Sequence, residues 1–215
     1  MPRFSEDGSR FAFAVRRVDG KQIVITDGAA GPAFDQIDTL AFSPPGNHLL
    51  YTASRRARHY AVLDGTQTDY DAVALSAFSP DGDHLALSAR IDGHWAVSVD
   101  GNKATPACEQ CSQLALSRGG KHLAFVCERG QHQVAVIDRD EGTVYDSIST
   151  VAFSSGGVAA YVAIRKARTV VVIGSAEIAE FDSVLTPLIF DGPSSLRFLA
   201  LKNGEFFREQ IKLEK

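Results

Sequence analysis

Apolar residues along the chain come in short runs of about five, rich in Val, Ile, Phe and Tyr, and clusters of Gly, Pro, Asp and Asn punctuate them from end to end. That rhythm predicts β-strands joined by tight turns, because β-branched and aromatic side chains suit the pleated sheet and the punctuating residues supply turn geometry. No stretch keeps a 3.6-residue period long enough for a helix of three turns.

The runs repeat. Aligned without gaps, six segments read FSEDGSRFAFAV from Phe4, FSPPGNHLLYTA from Phe42, FSPDGDHLALSA from Phe78, LSRGGKHLAFVC from Leu116, FSSGGVAAYVAI from Phe153 and FDGPSSLRFLAL from Phe190, with spacings of 38, 36, 38, 37 and 37 residues. A second block keeps phase with the first: IVITDG ending at Gly28, YAVLDG at Gly65, AVSVDG at Gly101, VAVIDR at Arg139 and VVVIGS at Ser175. A third block, an aromatic, an acid, any residue and an aliphatic, recurs as FDQI from Phe34, YDAV from Tyr70, YDSI from Tyr145 and FDSV from Phe181, with CEQC from Cys108 in the third copy. The copies run approximately over 1–37, 38–73, 74–111, 112–148, 149–184 and 185–215.

With strands lettered a to d in each copy, strand a ends in Phe-Ser and the following turn leads into strand b. The run before Asp-Gly is strand c, and the aromatic-acid block is assigned to strand d. Four short strands per copy and six copies predict one all-β domain over residues 1–215, a six-bladed β-propeller of four-stranded antiparallel blades. The sixth copy ends after strand c and the first opens inside strand a. The last blade is therefore expected to have three strands, unless the chain is part of a longer one.

The FSPDG turn followed by an apolar strand resembles the WD40-like repeat of TolB-like β-propellers, over nearly the whole chain. Trp95 is followed by Ala96, so the Trp-Asp pair of true WD repeats is missing. The resemblance implies a propeller fold and an extracytoplasmic bacterial setting, and it leaves the ligand open.

Composition narrows the classes further. The chain has 215 residues, 45% hydrophobic and 22% charged, enough for a sizeable core and too apolar for disorder. No run approaches a membrane span, and MPRFSEDGSR lacks the apolar stretch of a signal peptide. A net charge of −4 argues against nucleic-acid binding. Three cysteines, an odd number, lean toward a reducing compartment. Localisation stays undecided between cytoplasm and periplasm.

Residue types that suggest chemistry are better explained by the repeat. Cys108 and Cys111 form a CxxC, yet they occupy the columns of Phe34 and Ile37, and Cys127 that of Val15, Ala53 and Ala89, so all three are expected as core residues. His48, His84 and His122 recur at the start of strand b, and His59, His94 and His132 before strand c. Equivalent points in successive blades diverge, whereas metal ligands must converge to about 2.0–2.3 Å from one ion, so no metal and no cofactor is expected. The repeated acids Asp35, Asp71, Glu109, Asp146 and Asp182 suggest turn geometry, since a catalytic carboxylate is needed once. No phosphate loop, nucleophile elbow or HExxH is present.

Charge is unevenly placed. The b to c connections carry Arg16, Arg17, Lys21, Arg55, Arg56, Arg58, Arg90, Arg129, Arg165, Lys166, Arg168 and Lys202, 12 of the 22 basic residues. The opposite loops are expected to collect Glu6, Asp7, Asp27, Asp64, Asp69, Asp81, Asp83, Asp100, Asp138, Asp140, Glu141, Glu177 and Asp191. Two readings of the basic loops stand: an exposed surface for an acidic or anionic partner, or arginines paired with the strand d acids. The function expected is a non-enzymatic binding or scaffolding propeller that engages a protein or peptide through Arg55, Arg56, Arg58, Arg165, Lys166 and Arg168. The competing readings are a small-molecule or enzymatic propeller using its central channel, and the propeller domain of a larger enzyme. Leu40, Leu75, Leu114, Val151 and Leu188 in strand a weigh against a polar channel.

Overall fold

A computed structural model describes residues 2–103, 108 and 110–213. It divides into two compact units, Met1–Lys103 and Ala104–Lys215. In the first, three antiparallel sheets follow one another: β1 (Arg3–Phe4), β2 (Phe11–Arg16), β3 (Gln22–Thr26) and β4 (Ala29–Ala30); β5 (Gln36–Phe42), β6 (Leu49–Arg55), β7 (Arg58–Leu63) and β8 (Thr66–Tyr70); β9 (Ala72–Phe78), β10 (Leu85–Ile91), β11 (His94–Val99) and β12 (Asn102–Lys103).

The second unit continues with β13 (Cys111–Leu116), β14 (Leu123–Arg129), β15 (His132–Ile137) and β16 (Asp140–Tyr145), then β17 (Ser147–Phe153), β18 (Ala159–Arg165), β19 (Arg168–Ile173) and β20 (Ala176–Phe181). The sixth sheet holds β21 (Ser183–Val184), β22 (Ile189–Phe190), β23 (Ser195–Lys202) and β24 (Glu205–Lys212). Here β21 and β22 lie along the same edge of β23, opposite β24, so they are two halves of one interrupted first strand. Pro187, which cannot donate to the ladder, stands in the gap. In its place in the sheet, β24 is a third strand, paired with β23 among the described residues.

Burial within a sheet follows strand position. The second strands β6, β10, β14 and β18 each open with five consecutive buried residues, which is why their sequences read as continuous apolar runs rather than alternations. The fourth strands β8 and β16 are exposed except at the terminal Tyr70 and Tyr145. This corrects the assignment of strand d. Tyr70, Tyr145 and Phe181 close fourth strands while Phe34 forms an isolated bridge to Gln22, the acid sits in a one-residue bend, and the aliphatic already belongs to the next sheet.

The Phe-Ser signature has a local cause. Ser43, Ser79, Ser117 and Ser154 are buried, and each hydroxyl accepts the backbone N–H of the residue that enters the second strand, at 3.0–3.1 Å. In the return direction the serine N–H donates to the carbonyl of the same residue, at 2.8–2.9 Å. One side chain thus closes each loop from inside, leaving few buried polar groups unpaired.

Candidate functional site

The basic candidates lie at the turns between second and third strands, and three repeated contacts fix their geometry. The first is a wedge. Phe34, Tyr70, Tyr145 and Phe181, all buried, share core clusters with Ala53, Ala89, Ala163 and Ala200, the small residue two places before the end of the following second strand. A large ring needs a small neighbour at native packing density, so the two columns are complementary.

The second contact caps the wedge. Arg55 lies over the rings of Phe34 and Tyr60 at 5.2 and 4.9 Å, Arg165 over Tyr145 at 5.7 Å, and Lys202 over Phe181 at 5.7 Å. Each such cation–π contact contributes about 0.5–1 kcal/mol at a half-exposed site.

The third contact is a clasp. The carboxylate in the one-residue bend accepts a backbone N–H from the next two-residue turn: Asp35 from Arg56 at 2.8 Å, Asp71 from Gly93 at 3.0 Å, Asp146 from Lys166 at 2.7 Å and Asp182 from Asn203 at 2.6 Å. A basic side chain at the start of the preceding third strand faces the same acid: Lys21 pairs with Asp35, Arg58 with Asp71 at 2.7 Å and Arg168 with Asp182, and the His132 Nδ1 lies 3.6 Å from Asp146. These partners hold the Asp35 and Asp71 carboxyls below their usual range. For Asp35 the Lys21 ammonium is the main cause and the Arg56 amide the next; for Asp71 the Gly93 amide leads.

Four of the six candidate residues are therefore engaged within the chain. Arg55 stacks as described and reaches Gln67 at 3.4 Å. Arg58 holds Asp69 at 2.5 Å as well as Asp71, Arg165 makes two bonds of 2.7 Å to Glu177, and Arg168 pairs with Glu180 at 2.8 Å and with Asp182. Asp69, Glu141 and Glu177 were expected on the opposite loops, but the structure places them against Arg58, Arg129 and Arg165. The reason is reach: Arg129 and Arg165, ending second strands, extend across the third strand to the fourth, and Arg58, opening a third strand, meets the fourth strand beside it.

Arg56 and Lys166 differ. Each occupies the first position of a two-residue turn, at φ 50° and 51°, followed by Ala57 and Ala167 at 62° and 61°. This is the mirror-image hairpin turn that Asn-Gly or Asp-Gly usually fills, and Asp92-Gly93 and Asn203-Gly204 fill the same turn elsewhere. Placing residues with a Cβ there costs roughly 1–2 kcal/mol each. The Asp35 and Asp146 clasps hold these two turns, and neither the Arg56 nor the Lys166 side chain has a carboxylate partner among the described residues.

At the other end of each sheet the histidines are accounted for. His48, His84 and His122 pair through Nδ1 with Asp64, Asp100 and Asp138 at 2.6, 2.7 and 2.9 Å, and Arg10 takes the equivalent place against Asp27 at 3.0 Å. The other oxygen of each carboxylate accepts the N–H of Phe11, Leu49, Leu85 or Leu123. Asp100 raises the pKa of His84. Among the described residues no group of three or more His, Cys, Asp or Glu is placed to hold a metal.

The cysteines are buried, as their columns require, but two of them are bonded. Cys108 and Cys127 form a disulfide with Cα atoms 5.7 Å apart, and Cys111 lies opposite Cys127 across the β13–β14 pair. The signal was in the alignment: Cys108 stands in the aromatic column and Cys127 in the alanine column, the two columns that touch. Arg129, in the capping position, donates to the Cys127 sulfur at 2.9 Å in place of a ring.

No family model matches the chain. No curated protein matches it either. Among solved structures the Dos1 propeller matches over 100% of this chain and 68% of its own, at TM-score 0.53 and 10% identity. TolB from Acinetobacter baumannii matches over 98% and 65%, at 0.47 and 16%, and virginiamycin B lyase from Staphylococcus aureus over 99% and 84%, at 0.42 and 14%. The chain thus spans about two thirds of the TolB and Dos1 chains it resembles. At these identities the likeness shows a β-propeller fold alone, a fold that hosts unrelated activities.

Proposed function

We propose that the six sheets are the blades of a single propeller domain that acts as a non-enzymatic docking platform, with an acidic or anionic segment of a protein partner as its target. The observation that carries this reading is the pair of strained turn tips. Arg56 and Lys166 stand at left-handed positions where glycine would be cheaper, and a carboxylate clasp keeps each in place. A non-glycine residue kept in such a conformation at an exposed tip is a reason to look for function there.

The engaged arginines support the tips. With Arg55, Arg58, Arg165 and Arg168 already paired, the surface around each tip has little net charge, so a partner would meet one unpaired cation on a rigid mount. Loops on a fixed scaffold are where binding residues concentrate. The test is capture of a partner from cells of the source organism by the native chain and by an Arg56→Glu/Lys166→Glu variant, at low and high salt, after circular dichroism has shown both folded. Loss of the same partner on charge reversal and in high salt supports the platform. Equal capture by both proteins rejects it.

A further inference from the structure

Two joints set a second-strand tyrosine against the aromatic column, and only one of them satisfies its hydroxyl. In the fifth sheet Tyr161 meets Tyr145 edge to face at 6.2 Å, and the two hydroxyls interact by a hydrogen bond. In the second sheet Tyr51, at the same strand position, meets Phe34 edge to face at 6.0 Å. Phenylalanine has no hydroxyl to offer. Tyr51 is 4% exposed, burial alone raises its pKa, and its hydroxyl makes no hydrogen bond among the described residues. It therefore holds a proton that has no acceptor. A buried O–H in that condition is costly, so its retention asks for a cause.

The fourth strand of the first sheet leaves space in front of it. β4 is only Ala29 and Ala30, and the Gly31 N–H still donates to the Val24 carbonyl at 2.8 Å. The ladder resumes at Phe34, which exchanges backbone bonds of 2.9 and 2.8 Å with Gln22. Pro32 and Ala33 thus stand opposite Ile23 alone, and the extra residue bulges the strand. Small side chains on this strand leave a cleft of about 440 Å³ against β6, lined by Tyr51, Leu49, Val24 and Pro32 as well as by the alanines. A Cβ on Gly31 would touch the Tyr51 hydroxyl oxygen at 3.4 Å, so the glycine keeps the approach to that oxygen open. By contrast β8 pairs without a break along β7, and Leu87 takes the place of the tyrosine on β10.

Size, lining and charge define what fits. A mostly apolar cleft of this volume with one inward polar group has the character of a small-molecule site. Asp27, Asp64 and Arg10 also line it, and Arg10 is already bonded to Asp27 and to the Asn47 carbonyl at 2.7 Å. Two carboxylates against one engaged cation repel an anion.

We propose that the cleft between β4 and β6 binds a small uncharged molecule that has an apolar body and a carbonyl or amide oxygen, with the Tyr51 hydroxyl donating to that oxygen. The apolar body would lie against Val24, Pro32 and Leu49. This site is separate from the turn tips, and neither proposal depends on the other.

The experiment titrates the full chain with acetanilide, with aniline, which lacks the carbonyl, and with benzoate, which carries a charge, and follows backbone amide resonances. Acetanilide should shift Ala30, Gly31 and Gly65 saturably, with a dissociation constant of about 5 mM for a ligand of its size. Aniline should bind about fivefold more weakly, as one missing hydrogen bond allows, and benzoate should not bind. Tyr51→Phe should lower acetanilide affinity about fivefold and leave that of aniline unchanged. Tyr161→Phe, in the joint where the hydroxyl is already served, should bind acetanilide as the native chain does. The unfolding midpoint of Tyr51→Phe should equal or exceed the native value, because the hydroxyl removed has no partner in the chain. No saturable shift at these amides, equal affinity of the native chain and Tyr51→Phe for acetanilide, benzoate binding as tight as acetanilide binding, or a lowered midpoint for Tyr51→Phe would each overturn the proposal.

Discussion

Two joints in the second unit solve one packing problem in different ways. At one, Tyr145 fills the space beside Ala163, its hydroxyl donates to Glu177 at 2.8 Å, and Arg165 lies over the ring while clamping the same carboxylate. At the other, Cys108 stands where the ring would be and Cys127 where the alanine would be, joined covalently, with Arg129 on the sulfur and on Glu141 at 2.5 Å. The ring joint is held by excluded water and shape. The cysteine joint gives up apolar volume and gains a constraint on the unfolded chain. What differs is the state acted upon: burial stabilises the folded form, and a crosslink mainly limits the unfolded one.

The comparison can be broken most forcefully at the ring. Tyr145→Ala leaves a cavity against Ala163 and should cost about 3–5 kcal/mol in denaturant unfolding, as large-to-small core changes do. Reduction of the disulfide, or Cys108→Ser, reopens a loop of 19 residues in sequence separation. It should cost about 3 kcal/mol by loop entropy. The two losses separate by reductant, since dithiothreitol should lower the stability of the native chain and of Tyr145→Ala but leave Cys108→Ser unchanged. A transplant sharpens the point: Cys108→Tyr/Cys127→Ala rebuilds the ring joint, and its stability should exceed that of Cys108→Ser and resist reductant.

The smallest effect is a pH dependence confined to the ring joint. Arg165 first, and then the Tyr145 hydroxyl, hold the Glu177 carboxyl below its ordinary 4.5. A carboxyl lowered on folding contributes stability that is full above the unfolded value and lost as pH falls through the folded one. Tyr145→Phe removes one of these two partners, so its stability relative to the native chain should be lowest near neutral pH and converge with it toward pH 3. The measurement is a series of unfolding midpoints from pH 7 to pH 3.

Much of this was legible in the sequence because the repeat made it so. The second and third strands, the buried aromatic column and the structural role of the cysteines follow from runs and registers. The fourth strand was misplaced because residues such as Thr66, Gln67, Thr68 and Asp69 are exposed and carry no apolar alternation. The acid clasp was visible as a recurrence but not as a contact, since its partner is a backbone amide that no sequence column records. The arginine pairs were hidden in plain spacing: Arg129 and Glu141, Arg165 and Glu177, and Arg168 and Glu180 are each 12 residues apart. The disulfide needed the further step of asking which columns touch.

The clasp and wedge also bear on how such a chain can change by duplication. Aromatic and acid come from one copy, alanine and turn from the next, so a copy gained or lost in phase presents the same ends to its new neighbours. Such joints are interchangeable, and an array built on them can be lengthened without redesign. Cys108 and Cys127 are keyed to each other, and a duplication or deletion passing between them would leave a half-joint on each side. That boundary would resist shuffling.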